Sequence, residues 1–310
     1  LTQGIVLLYT EYGKNKYSRG MSYMAYKLLD GRDLARRMKE AMKLEIRDMA
    51  GKGIVPGLAV VIVGNDPASR IYVNNKKKDC EEIGIRSFEY ALPEDASEDQ
   101  LLGLIDALNE DPAVDGILVQ LPIPRHLDEA KVIRRISHDK DVDGFHPYNT
   151  GELMIGRPVF APCTPAGIME LLKDAGIDAA GKNCVVVGRS NIVGKPMAMM
   201  MLHANATVTI CHSRTANLKD VCSRADILIV AIGRSEFITA DYVKEGAVVI
   251  DVGMNRRDDG KLTGDVDFEG VSAKASAITP VPGGVGPMTR TMLLKNTIKA
   301  SKMHKRDMLS

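Results

Sequence analysis

Val185-Val186-Val187-Gly188-Arg189-Ser190-Asn191-Ile192-Val193-Gly194-Lys195-Pro196 is the stretch on which the fold turns. An apolar run ends on a glycine, a short polar turn follows, and Pro196 opens a helix-like stretch, giving strand, turn and helix. Such a turn aims backbone N–H groups and the positive end of a helix dipole at one point, where a pyrophosphate can sit. Gly188 and Gly194 let the backbone approach a phosphate without a Cβ in the way. The spacing departs from G-x-G-x-x-G, because Ser190 stands where the second glycine would be. Taken alone, an ordinary βα turn explains the segment equally well.

The next strand-like run, Ala206 to Cys211, bears on the choice of nucleotide. NAD-binding units usually end this strand on a carboxylate that holds the ribose 2′-hydroxyl. Here the chain has His212-Ser213-Arg214-Thr215, with a second cation, Arg189, in the preceding turn. Arginine forms a planar fork to phosphate, so the reading is a 2′-phosphate site and hence NADP rather than NAD. The alternative is a solvated polar turn.

With 310 residues the chain has room for two domains, and 45% hydrophobic with 26% charged residues is ordinary for a globular protein. A net charge of +1 creates no strong field, which argues against nucleic acid or an anionic membrane as partner. Apolar runs are strand-sized, too short to span a bilayer. Five cysteines form no C-x-x-C pair and suit reduced, buried thiols in a cytoplasmic protein. Six histidines have no ligand spacing, so no metal site is expected. The 16 methionines read as core filler. Residues 1–26 read as an extension outside the compact fold, either non-native or a disordered tail.

From there the pattern alternates. Leu34, Met38, Met42 and Met49 mark a helical face; Leu58–Val63 is a buried strand; a helix runs from about Ser69 to Ile83. Phe88–Leu92 and Gly116–Leu121 read as strands, and Ser97-x-x-Gln100 as a capping box for a helix to Asn109. Asp128–Ile136 is helical, Lys140–Gly151 a polar connection, and Thr164-Pro165 an N-cap followed by proline at N1. Strands follow at Val185–Val187, Val208–Cys211, Ile227–Ala231 and Val248–Val252. The order predicts an α/β chain of parallel sheets covered by helices. Its expected parts are an N-terminal α/β catalytic domain over 27–146, a Rossmann-type domain over 147–286, and a helix at about 287–303 that packs back on the first. The active cleft would lie between the two.

On the 69–83 helix Tyr72 and Lys76 are i and i+4, and Cys80 and Ile83 continue their face. A lysine on such a face can be desolvated, which lowers its pKa and makes it a usable base; a snorkelling surface lysine is the competing reading. Gly116 to Pro122 puts Gln120 at the C-terminal end of a buried strand, where ligand crevices of open α/β sheets form. Lys140-Asp141-Val142-Asp143-Gly144 brings two carboxylates into a tight loop, either to bind a nitrogen-rich heterocycle or as a solvated turn. Thr279-Pro280-Val281-Pro282-Gly283-Gly284-Val285-Gly286-Pro287 is stiff and bare, with room for a flat ligand, unless it is a hinge.

These segments together, with Pro162-Cys163-Thr164-Pro165, resemble one family over about Leu28 to Ala300. It is the bifunctional methylenetetrahydrofolate dehydrogenase/methenyltetrahydrofolate cyclohydrolase family. The resemblance implies oxidation of 5,10-methylenetetrahydrofolate with NADP, then hydrolysis of the methenyl product to 10-formyltetrahydrofolate, in one-carbon metabolism and purine biosynthesis. It implies that Lys76 is the acid/base of hydrolysis, Gln120 its hydrogen-bonding partner, Tyr72 the stacking partner of the aminobenzoyl ring, and Asp143 the pterin ligand. Ser69, Leu121, Pro282, Gly283 and Gly284 would complete the folate site. Gly188, Arg189, Ser190, Val193, Gly194, Ser213, Arg214, Ala231, Ile232 and Gly233 would bind the cofactor, with Thr279 near the nicotinamide. A cytoplasmic homodimer joined through the cofactor domain is implied as well. Competing readings are a monofunctional NAD-dependent enzyme, a shikimate-type dehydrogenase using Arg125 or Arg290, and a non-catalytic nucleotide-binding module. Arg290 receives no role from the residues or from the resemblance.

Overall fold

The computed structural model describes residues 26–257 and 259–309, so the extension expected over 1–26 lies, Tyr26 apart, outside the described residues. In chain order the elements of the first half are β1 (Lys27–Leu28), α1 (Gly31–Gly51), β2 (Gly57–Val63), α2 (Pro67–Ile83), β3 (Arg86–Leu92), α3 (Glu98–Glu110), β4 (Gly116–Val119), α4 (Glu129–Arg135), α5 (Pro147–Met154) and α6 (Cys163–Asp174). The second half adds β5 (Asn183–Val187), α7 (Gly194–His203), β6 (Thr207–Cys211), α8 (Leu218–Cys222), β7 (Ile227–Val230), β8 (Val248–Asp251), β9 (Asn255–Arg256), β10 (Leu262–Thr263), α9 (Phe268–Ser272), β11 (Ala277–Ile278), α10 (Val285–His304) and α11 (Arg306–Leu309).

Two parallel sheets result. A three-stranded sheet has the order β3-β2-β4, and a six-stranded sheet the order β1-β11-β8-β7-β5-β6. Strands β2, β4, β7 and β8 are almost wholly apolar, as strands of parallel sheets covered by helices are, and every one of their residues is buried. In the larger sheet β6 lies on one side of β5 and β7 on the other. This is the reversal of strand order outside whose carboxyl ends ligands bind.

Local signals explain most boundaries. Asp30 caps α1 by accepting from the N–H groups of Arg32 and Asp33, and Ser97 with Gln100 forms the expected capping box of α3. Three expectations need correction. The polar connection over 140–151 contains α5, which starts on Pro147 at its first position with His146 Nδ1 accepting from Tyr148 N–H. Thr164 is not an N-cap: α6 begins at Cys163 after Pro162, and the Thr164 hydroxyl pairs with that of Thr289 at 3.0 Å. Strand β1, expected in the first domain, pairs with β11 and so extends the larger sheet. All five cysteines are free and buried. Six methionines lie in the core, whereas Met154, Met254, Met303 and Met308 are exposed. Among the described residues no helix is long and apolar enough to cross a membrane, and no cluster of His, Cys, Asp or Glu could hold a metal ion.

Helix α10 ties the halves together, packing on α6 as well as on α1, α2, β2 and β4. Asn296, midway along it, donates to the carbonyls of Val142 (2.8 Å) and Ala161 (3.2 Å). Its end is held by Asp115, a buried carboxylate that accepts from Lys305 Nζ at 2.8 Å and Gly57 N–H at 2.9 Å, with His304 Nδ1 at 3.5 Å. Burial pushes the Asp115 carboxyl up, but hydrogen bonds from His304, Lys305 and Gly57 outweigh it and hold the group below its ordinary value. A depressed carboxyl stabilises the fold above the unfolded-state pKa and loses that contribution as pH falls through its folded value. Replacing Lys305 with Met should leave Asp115 buried without its main partner and cost about 3 kcal/mol. Urea titration at pH 7 checks this, and the gap from the unsubstituted protein should narrow below about pH 4, where unfolded carboxyls are protonated.

Candidate active site

A cleft of about 680 Å³ runs between the two sheets. One wall is α2, which presents Tyr72, Asn75 and Lys76 at helical spacing, and the opposite wall is the loop Pro280–Gly284 with the start of α10. Gln120 and Leu121, just past β4, and Asp143, from the loop that bridges to β4, form the floor. Asp66 caps α2 by accepting from Ser69 N–H at 2.7 Å, which sets the phase at which Tyr72 and Lys76 face inward.

Lys76 Nζ donates to Gln120 Oε1 at 2.8 Å, and Gln120 Nε2 donates to the Leu121 carbonyl at 2.6 Å. Burial pushes the Lys76 amine below its ordinary value and the nearby Arg290 charge adds to this, while Asp143, Cys163 and Cys80 oppose it. Burial likewise raises the Asp143 carboxyl, against the pull of Lys76. Both groups are thus driven toward their neutral forms. Its neighbour Asp141 does not face the cleft: it accepts from the N–H groups of Phe145 and His146 and from Asn149 Nδ2, so one of the two loop carboxylates is structural.

Tyr72 is 38% exposed, and its hydroxyl donates to Met254 Sδ at 2.7 Å. Leu121, Pro282, Gly283 and Gly284 line the same cleft, whereas Ser69, buried in the first turn of α2, does not. The glycines are needed: Gly283 has φ +120°, and a Cβ on Gly284 would lie 2.7 Å from the Pro280 carbonyl oxygen. The peptide bonds before Pro122 and Pro282 are cis.

The β5–α7 turn borders the cleft through Ile192. A Cβ on Gly188 would lie 2.3 Å from the Ala231 carbonyl oxygen, and one on Gly194 2.3 Å from that of Gly188, so strand and helix meet backbone to backbone. Ser190, in place of a second glycine, turns its hydroxyl inward to accept from the N–H groups of Val193 (3.1 Å) and Gly194 (3.2 Å). Arg189, Ser213 and Arg214 are exposed beside it. Among the described residues neither guanidinium has a hydrogen bond or ion pair. A tight strand–turn–helix with two free guanidiniums fits a dinucleotide that carries an extra phosphate.

After β7, the N–H groups of Ile232, Gly233 and Arg234 all point at the Asp265 carboxylate, at 2.7, 3.0 and 2.8 Å, and Asn255 Nδ2 joins them at 2.9 Å. Ala231 lies against Gly188. Thr279 is buried, and its hydroxyl accepts from Asp251 N–H at 2.8 Å, so it braces β8 against β11 and does not line the cleft. Asp251 accepts from the N–H groups of Gly253, Asp265 and Val266, and burial nevertheless pushes its carboxyl up to about 7.

Sequence reasoning did not find Arg32, Met254, Asp251 or Asp265. Each acts through contacts between segments remote in the chain, which no local spacing reports. Arg32 lines the cleft beside Gly283, and Arg290, left without a role above, lines it from α10.

Comparison with known proteins agrees with this geometry. Residues 29–143 match the family described as Tetrahydrofolate dehydrogenase/cyclohydrolase, catalytic domain, and residues 162–305 its NAD(P)-binding domain. The chain is 65% identical over 277 residues to the bifunctional protein FolD of Ruminiclostridium cellulolyticum, covering 89% of this chain and 98% of that one. It is 63% identical over 280 residues to the FolD of Acetivibrio thermocellus, covering 90% and 98%. Among solved structures, the bifunctional enzyme FolD of Campylobacter jejuni superposes with a TM-score of 0.89 at 52% identity, covering 90% of this chain and 99% of that one. The Trypanosoma brucei enzyme, complexed with NADP cofactor and inhibitor, gives 0.87 at 37% identity, covering 91% and 99%. None of this favours the shikimate-type or monofunctional alternatives. With a paired lysine and glutamine in an interdomain cleft and a dinucleotide turn at its rim, the chain belongs to the tetrahydrofolate dehydrogenase/cyclohydrolase family.

Proposed function

We propose that this protein oxidises 5,10-methylenetetrahydrofolate and hydrolyses the resulting methenyl cation to 10-formyltetrahydrofolate, both in the one cleft. The observation that carries the reading is the Lys76–Gln120 hydrogen bond at 2.8 Å, on the floor of a cleft that the dinucleotide turn borders.

Asp143 binds the pterin and Tyr72 stacks on the aminobenzoyl ring, which aligns the reacting carbon. NADP, when bound, accepts the hydride. Gly188 and Gly194 set the tight β5–α7 turn whose helix N-terminus would receive its pyrophosphate, and Arg189, Ser213 and Arg214 would hold its 2′-phosphate. Loss of hydride leaves a carbon stabilised by two nitrogens. In the second step neutral Lys76 takes a proton as water oxygen bonds to that carbon. The bond from the carbon to one ring nitrogen then breaks, the Lys76 ammonium protonates that nitrogen, and the remaining hydroxyl proton leaves to solvent as the formyl group forms. Gln120 keeps the amine aimed without adding charge.

In this reading residues 29–146 form the catalytic unit and 147–286 the cofactor unit, with α10 laid across both; the contacts of α10 support it. The edge position of β6, with Ile210 38% and nearby Leu202 50% exposed, supports a homodimer joined through this strand. Buried free thiols support a cytoplasmic setting, and the formyl product suits supply of purine biosynthesis.

Lys76→Met should lower methenyl hydrolysis by about 1,000-fold and dehydrogenation far less, as read by separate assays of methenyl decay and NADPH formation; unchanged decay would remove Lys76 from this role. Arg189→Gln/Arg214→Gln should raise KM for NADP about 30-fold and leave KM for NAD within about twofold, and equal effects on both would sink the 2′-phosphate assignment. Sedimentation equilibrium should show a dimer that Ile210→Glu converts to monomer.

A further inference from the structure

Arg290 sits where the established chemistry gives it nothing to do. Gly286, Thr289, Arg290 and Leu293 lie on the cleft-lining face of α10, so the arginine enters the catalytic cleft from the helix that spans both units. Its Nε lies 3.3 Å from Asp79 Oδ2. Asp79 is one helical turn beyond Lys76 on α2, continuing the Tyr72–Lys76 face, and is itself nearly buried. The other Asp79 oxygen, Oδ1, receives Lys39 Nζ at 3.2 Å. One carboxylate is therefore shared between two cations, so its negative charge is offset next to the amine that must stay unprotonated. Lys39 in turn also meets Glu82.

The groups facing Lys76 come from each element packed around it. Helix α2 supplies Cys80, the floor loop Asp143 with Asp141 behind it, α6 the thiol of Cys163, and α10 Arg290, which is held by Asp79 together with Lys39 of α1. Gln120 is neutral. Asp143, Cys163 and Cys80 favour the ammonium and Arg290 opposes them, while Arg32 and Arg256 line the same cleft.

We infer that Arg290 is a positioning residue for the hydrolysis, its guanidinium held by Asp79 so that a permanent positive charge keeps the Lys76 amine neutral and able to take a proton from water. Asp79 acts as the anchor that aims this charge, and Lys39 shares that carboxylate with Arg290. The inference rests on Lys76 being the base, as proposed above.

The test is the pH dependence of kcat/KM for methenyl hydrolysis in three variants, each checked for an unchanged fold by circular dichroism. Removing the cation with Arg290→Gln or Arg290→Met should raise the pH of the acidic limb by about one unit, since a larger fraction of Lys76 is then protonated. Arg290→Lys should keep the limb within about a quarter unit of its original place, because the charge remains. Asp79→Asn, which deletes the negative partner and keeps the arginine, should move the limb the opposite way. A limb that does not move in Arg290→Gln, or one that moves in the same direction in Asp79→Asn, would overturn the inference. So would a raised folate KM with an unmoved limb, which would make Arg290 a substrate contact. If Lys76→Met itself hydrolyses normally, the base assignment fails instead, and the two failures are distinguished by that one additional variant.

Discussion

One hydrogen bond lies at the centre of the cleft: the amine of Lys76 against the amide oxygen of Gln120. The direction of the amide is not free. Its nitrogen is committed to the Leu121 carbonyl at 2.6 Å, which leaves the oxygen facing the lysine. An amide oxygen accepts from an amine and from an ammonium alike, so the contact survives a proton arriving and leaving. A carboxylate at the same place would hold the ammonium and suppress the base. The burial that pushes the lysine toward neutrality thus has a partner that does not oppose it.

Everything else keeps that pair at the meeting point of two sheets. The apolar strands β2 and β4 bring Gln120 and the Asp143 loop to one end of the small sheet, and α2 crosses above them with its active face set by the Asp66 cap. The six-stranded sheet brings the β5–α7 turn to the rim. Helix α10 bridges the two and is fastened to the small sheet's side by Asn296 and by the buried Asp115 cluster. Because the same helix carries part of the cleft lining, the distance between the halves and the composition of the site are set by one rigid element.

Much of this was legible in the chain. The run Val185–Pro196 announces strand, turn and helix through apolarity and glycine, and the structure adds why: backbone atoms at Gly188, Gly194 and Ala231 leave no space for a Cβ. Tyr72 and Lys76 could be paired by helical spacing alone. The reach of the reading ended where partners are distant in sequence. Nothing near Thr164 says that its hydroxyl meets Thr289 rather than capping its own helix. Thr279 sits in a segment that lines the cleft, yet its own hydroxyl faces β8. The helix α5 was hidden in a polar stretch because its buried side is small and its anchor, Asn149, is polar. Arg290 looked idle since the carboxylate that holds it lies on another helix.

The Asp265 carboxylate has a further consequence. It already occupies the ring of three successive N–H groups that follows β7, a concavity of the kind that elsewhere receives an anion from solution. With an internal carboxylate resident there, those three N–H groups are not available to an anion from solution. The protein thus closes that concavity with an acid of its own, and the β5–α7 turn is left as the open one.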